Sequence, residues 1–195
     1  MKPKINKIFE IGVMKTGTTS LGCAFEILGF RKKGWSAETA RKFKETNNNY
    51  DVLFEVIDKY DAFEDGPWHD CDFKKLDKQY PASKFILLER ADDSWVTSLE
   101  YHTNLKYENA KKIYAKQDLN KDSSNFWKTG WKTPAKFRQK MVDFKNKKYE
   151  TIKNYFSNRP DDLLVMEISE GWPPLCQFLG VDIPDEKFPF ENETN

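Results

Sequence analysis

Histidine and paired cysteine are scarce in this chain. His69 and His102 are its two histidines, and Cys23, Cys71 and Cys176 lie far apart with no C-x-x-C step among them. Zinc-finger and zinc-ribbon spacings are thereby excluded, an even disulfide framework cannot form, and a reducing compartment fits. Charge of one sign is lacking as well: 32 Lys and Arg stand against 31 Asp and Glu. That near-cancellation argues against nucleic acid or an anionic membrane as partner, and it makes any anion site a local feature. Long apolar runs are missing. The stretch MKPKINKIFEIGV before Lys15 is too short in apolar residues for a signal peptide or a membrane span. The expectation is a soluble, cytoplasmic protein. Repeats and low-complexity linkers are also absent, so 195 residues imply one domain spanning 1–195.

What is present is aromatic weight, with 15 Phe and 6 Trp, enough for a packed core. Three apolar runs have the continuous character of strands buried on both faces: Ile8–Val13, Lys84–Glu89 and Leu163–Ile168. Each precedes a turn and a helical pattern. Thr19–Leu28 follows the first, and Asp92 or Asp93 caps a helix to about Leu105 after the second. Trp172–Leu179, stopped by Gly180, follows the third. A long amphipathic helix is expected over Pro134–Phe156, with Phe137, Met141, Phe144, Ile152 and Phe156 as its apolar stripe. Polar stretches at 44–51 and 116–125 are expected loops. Strands alternating with helices predict an α/β, P-loop-like, three-layer fold with a central parallel sheet flanked by helices. Ligands of such sheets bind beyond the carboxyl ends of the strands.

The segment KTGTTS, Lys15–Ser20, joins the first strand to the first helix. Gly12 and Gly17 have the spacing of a triphosphate loop, but position 18 is threonine and the lysine comes early, at Lys15. Gly17 frees the backbone to aim N–H groups inward, and the helix start adds its positive end. Thr18, Thr19 and Ser20 add hydroxyls, and Thr16 lies within the same loop. A lysine at the front of the loop reaches the cradled phosphate and the oxygen bridging to its substituent. No strong metal-binding carboxylate follows the other strands, which favours a metal-free donor. Arg90 leaves the second strand, and Ser98 lies eight residues on; together they suit a second anion. Each of these residues taken singly is equally at home in a salt bridge or a packed turn.

Taken together, KTGTTSL at 15–21, YPASKFILLERADDSWVTS at 80–98 and the C-terminal stretch 159–192 resemble the sulfotransferases that use 3′-phosphoadenosine 5′-phosphosulfate (PAPS), in their short microbial and invertebrate branch. The resemblance implies that Lys15, Thr16, Gly17, Thr18, Thr19 and Ser20 hold the 5′-phosphosulfate, with PAP as product and no metal. It implies that Arg90 and Ser98 hold the 3′-phosphate. The family places its base between these two segments, where this chain reads YDAFEDGPWHDCD, 60–72. Asp65, before x-Pro, is the first candidate, Glu64 the second and His69 the third. The acceptor is expected to be a small molecule or glycan offering a hydroxyl or amine. A basic glycine-rich segment near the C-terminus, found in larger members, is not visible, and Phe190 stands where the short branch often has histidine. NFWKTGWKTPAKFRQK, 125–140, with Trp127 and Trp131 among lysines, suits a lid or a solvated helix start. Two rivals stay open: an ATP-dependent small-molecule kinase, and a non-catalytic PAP- or nucleotide-binding protein.

Overall fold

A computed structural model describes residues 5–102 and 134–191, with side chains from 138 onward in the second stretch. It divides into two compact units, one of 1–89 with 151–195 and one of 90–150.

The first unit holds a five-stranded, all-parallel sheet in the order β2-β3-β1-β4-β5. The strands are β1 (Ile8–Glu10), β2 (Lys32–Lys33), β3 (Ala62–Phe63), β4 (Lys84–Glu89) and β5 (Leu163–Glu167). Register pairs Phe9 with Phe63 on one side and with Phe85 on the other. Side chains alternate across the sheet. Ile8, Ile86, Leu88 and Met166 face the helices α1 (Thr18–Ile27) and α7 (Trp172–Leu179), and there they meet Leu21, Phe25, Trp172 and Leu175. Phe9, Phe63 and Phe85 face the other way. Their rings stack at 5.1 and 5.7 Å, and Phe85 meets Phe156 at 4.9 Å. Phe156 ends α6 (Pro134–Phe156). Three further helices, α2 (Ala37–Glu45), α3 (Asp51–Ile57) and α4 (Phe73–Gln79), complete this unit.

Most of the expected elements are present. β4, α6 and α7 have the expected bounds, and Gly180 closes α7 in the left-handed conformation. β1 stops at Glu10, short of Val13, because Gly12 N–H turns back to the Glu10 carboxylate at 2.7 Å instead of continuing a ladder. The expected loop at 44–51 is narrower, since α2 runs to Glu45 and α3 starts at Asp51. The segment 116–125 and the helix end near Leu105 lie outside the described residues.

In the second unit, residues 92–102 are helical and will be called α5. Asp92 is not its cap but sits in its first turn, 2.6 Å from Lys145 of α6. Among the stripe residues whose side chains are described, which excludes Phe137, one differs from expectation. Phe144 is 58% exposed, while Lys145 beside it is buried. The lysine stem passes Trp95 and Tyr149, with Nζ 5.3 and 5.6 Å from their rings, and Nζ donates to the Arg90 carbonyl at 2.7 Å. A flexible stem with satisfied charge replaces the phenylalanine as the inward residue.

Candidate active site

Segments leaving the carboxyl ends of β1, β2, β3 and β5 emerge along one edge of the sheet in the first unit. After β1, the loop is shaped by contacts a few residues long. Thr16 Oγ1 donates to the Val13 carbonyl at 2.8 Å, and Leu21 N–H bonds the Gly17 carbonyl at 3.0 Å. Lys15 and Gly17 have φ of 69° and 106°, while Thr16 between them does not share the positive sign. Alternation of this kind turns successive N–H groups toward one point and forms an anion-binding nest. It opens directly into the N-terminus of α1, whose first turn carries no acidic residue. A left-handed backbone at a lysine costs on the order of 1–3 kcal/mol, and such strain persists where function holds it. Gly17 is required twice over, by its φ and because a Cβ would come within 2.8 Å of Ile168, just beyond β5.

The loop residues divide by role. Thr16 and Thr18 are buried, Thr19 is exposed and Lys15 is half-buried. The Thr16 hydroxyl closes the loop. Ser20 Oγ accepts the Glu191 N–H at 2.8 Å, so the C-terminal tail is anchored on the first turn of α1. The tail is further held by Trp172, whose indole N–H donates to the Glu186 carbonyl at 2.7 Å and whose ring meets Phe188 at 4.8 Å. Neither contact is legible in the sequence, since the partners lie 171 and 14 residues apart.

After β3, the chain turns through the three base candidates. Glu64 is buried, with its carboxyl facing the backbone of Gly22 and Gly34, where a Cβ on either glycine would strike Oε1. Lys32 Nζ is 3.9 Å away. Burial, assisted by the neighbouring Asp65 charge, pushes the Glu64 carboxyl up to about 7, against a partial pull downward by Lys32. Asp65 is left-handed at φ 64°, and its Oδ1 accepts the Gly66 N–H at 2.7 Å. Its side chain keeps 31% of its surface, against 6% for Glu64. His69 is buried between two carboxylates, with Nδ1 3.7 Å from Asp65 and Nε2 3.2 Å from Asp70. Of the three, Asp65 has the most exposed side chain.

Arg90 and Ser98 belong to the second unit. Arg90 follows β4 in the chain, and its Nε donates to Ser94 Oγ at 3.2 Å; Ser98 lies one turn further along α5, half-buried. The tryptophans at 127 and 131 lie outside the described residues.

Comparison with known proteins decides the family. Residues 7–195 match the sulfotransferase domain. The chain belongs to the sulfotransferase domain family. Among its relatives, Ava biosynthesis cluster protein M of Aspergillus versicolor is 24% identical over 213 residues, covering 94% of this chain and 79% of that protein. The crystal structure of a sulfotransferase from Alicyclobacillus acidocaldarius superposes with a TM-score of 0.55 at 16% identity, covering 99% of this chain and 87% of the other. At that identity the likeness shows the fold: an α/β architecture with a five-stranded parallel sheet flanked by helices. The protein is therefore a sulfotransferase enzyme. No helix among the described residues of this sulfotransferase is long and apolar enough to cross a membrane.

Proposed function

We propose that this enzyme transfers the sulfonate of PAPS to a hydroxyl or amine, with Asp65 as the base. The Lys15–Gly17 nest at the start of α1 carries the proposal. It supplies backbone donors, a helix end and one cation, which together suit a 5′-phosphate bearing a sulfonate. The acceptor oxygen or nitrogen attacks sulfur, and the bond from sulfur to the phosphate oxygen breaks. Lys15 offsets the charge growing on the leaving phosphate, as preorganised electrostatics do in related group transfers. Asp65 takes the acceptor proton. Its Oδ1 is committed to Gly66, so Oδ2 is the receiving atom. Glu64, sealed against two glycines, supports the turn instead of reaching the acceptor. Arg90 and Ser98 hold the 3′-phosphate.

Thermal shift with adenosine 3′,5′-bisphosphate against Mg-ATP tests the donor. Stabilisation by the bisphosphate alone is expected, and stabilisation by Mg-ATP alone would overturn the donor assignment. Arg90→Ala should weaken the bisphosphate by roughly 10- to 150-fold, the equivalent of about 1.5–3 kcal/mol for a charged hydrogen bond. Adenosine 5′-phosphosulfate, lacking the 3′-phosphate, should change much less. Equal losses for both would make Arg90 a residue of the fold.

A further inference from the structure

Trp35, at the carboxyl end of β2, is 59% exposed. Single exposed apolar side chains are ordinary, so exposure alone carries nothing. The way this one is fastened is less ordinary. The Gly34 carbonyl accepts the Trp68 indole N–H at 3.0 Å, and the Ser36 N–H donates to the Gly66 carbonyl at 3.1 Å. The Trp35 ring itself lies over Gly66, where a Cβ would come within 2.5 Å of Cζ3. Trp35 is thus tied before, after and through its ring to the turn that carries Asp65. Beside the same glycine is Asp70, with Oδ2 3.8 Å from that Cβ position and 72% of its side chain exposed. One turn therefore gathers a largely exposed indole, a largely exposed carboxylate whose Oδ1 lies 3.2 Å from His69, and the candidate base.

We propose that Trp35 and Asp70 form the acceptor subsite and that the acceptor is a sugar, an inference that rests on Asp65 as the base. A pyranose ring lays its C–H face on the indole. One hydroxyl faces Asp65 for sulfonation, and another donates to Asp70. An ionised carboxylate only accepts hydrogen bonds, so Asp70 favours a ligand with a second hydroxyl besides the reacting one. A simple phenol or alkanol has none to offer. Tethering the platform at three points removes the ordering cost that a mobile tryptophan would impose on binding.

Saturation-transfer NMR tests this with methyl β-D-glucopyranoside, methyl β-D-galactopyranoside, methyl N-acetyl-β-D-glucosaminide and p-nitrophenol, each with saturating adenosine 3′,5′-bisphosphate. At least one glycoside should bind, with saturation concentrated on one ring face. Trp35→Ala should weaken it about tenfold or more, Trp35→Phe should recover most of that loss, and Asp70→Asn should weaken it severalfold. Bisphosphate affinity by calorimetry should be unchanged in all three variants. The proposal is overturned if no glycoside binds while the bisphosphate does. It is equally overturned if p-nitrophenol binds more tightly and ignores Asp70→Asn, which would mark an aryl acceptor, or if Trp35→Ala lowers bisphosphate affinity as much as glycoside affinity. Failure of the bisphosphate to bind would instead sink the donor assignment, and the glycoside arm, repeated without it, would still decide the platform.

Discussion

The loop after β1 and the turn after β3 leave the same sheet edge but are held by different means. The loop is shaped mainly from within. Glu10 holds Gly12, Val13 holds Thr16, and Gly17 receives Leu21. The turn is shaped from a distance, by Gly34 and Ser36 gripping Trp68 and Gly66, and by Lys32 approaching Glu64. Their chemistry is opposite too. The loop brings together a positive-φ lysine and the start of a helix, while the turn gathers three acids, one of them pressed into glycine backbone. An anion cradle can be made from a few consecutive residues, because the backbone supplies its donors. A base must be aimed, and aiming requires a second segment.

The largest effect that would break this division is at Asp65. Asp65→Asn should lower turnover by about 10²–10⁴-fold with donor affinity retained, and Glu64→Gln should be mild by the same steady-state assay. The reverse ranking would move the base one residue back and make Asp65 the supporting acid. Next, Lys15→Ala should reduce kcat at saturating donor by about 10²–10³-fold with little change in melting temperature. A variant that keeps most of its turnover would leave the loop a structural turn.

A third test reads stability against pH. Glu64 is raised from 4.5 to about 7 in the folded chain. Between those values the folded state holds a proton that the unfolded state has released, so the Glu64 contribution to stability is full below about 4.5 and is lost as pH rises to about 7. Glu64→Gln removes this dependence. Relative to the wild type it should gain up to roughly 3 kcal/mol in going from pH 4 to pH 8, measured by urea unfolding at each pH. Parallel pH profiles would show that the carboxyl is not held in a dry site. The smallest effect compares glycines of the two regions. Gly17→Ala meets a forbidden φ and the Ile168 side chain, and should destabilise by about 2 kcal/mol. Gly34→Ala meets only the end of the Glu64 side chain and should cost less; equal losses would mean that both regions are equally rigid.

The same distinction governs what the sequence revealed. β4 is four unbroken apolar residues, Phe85–Leu88, between Lys84 and Glu89, and α7 carries its stop signal in Gly180, so both could be bounded by inspection. β2 and β3 are two residues each, too short to show any period; β3 is a strand because β1 offers a place beside it, and β2 because β3 does. At Phe144 the helical period points to the wrong inward residue, because Lys145, whose charge its neighbours bury, looks polar in sequence.

The sequence by itself determined the α/β class, the loop at 15–20 and its displaced lysine, because the bonds that shape them join residues close in the chain. Tertiary structure alone decided which acid is sealed and which is exposed, that Ser20 anchors the tail, and that Trp35 stands over the turn that carries Asp65. Burial and proximity depend on segments some thirty to more than a hundred residues apart, and no local pattern encodes which of them will meet.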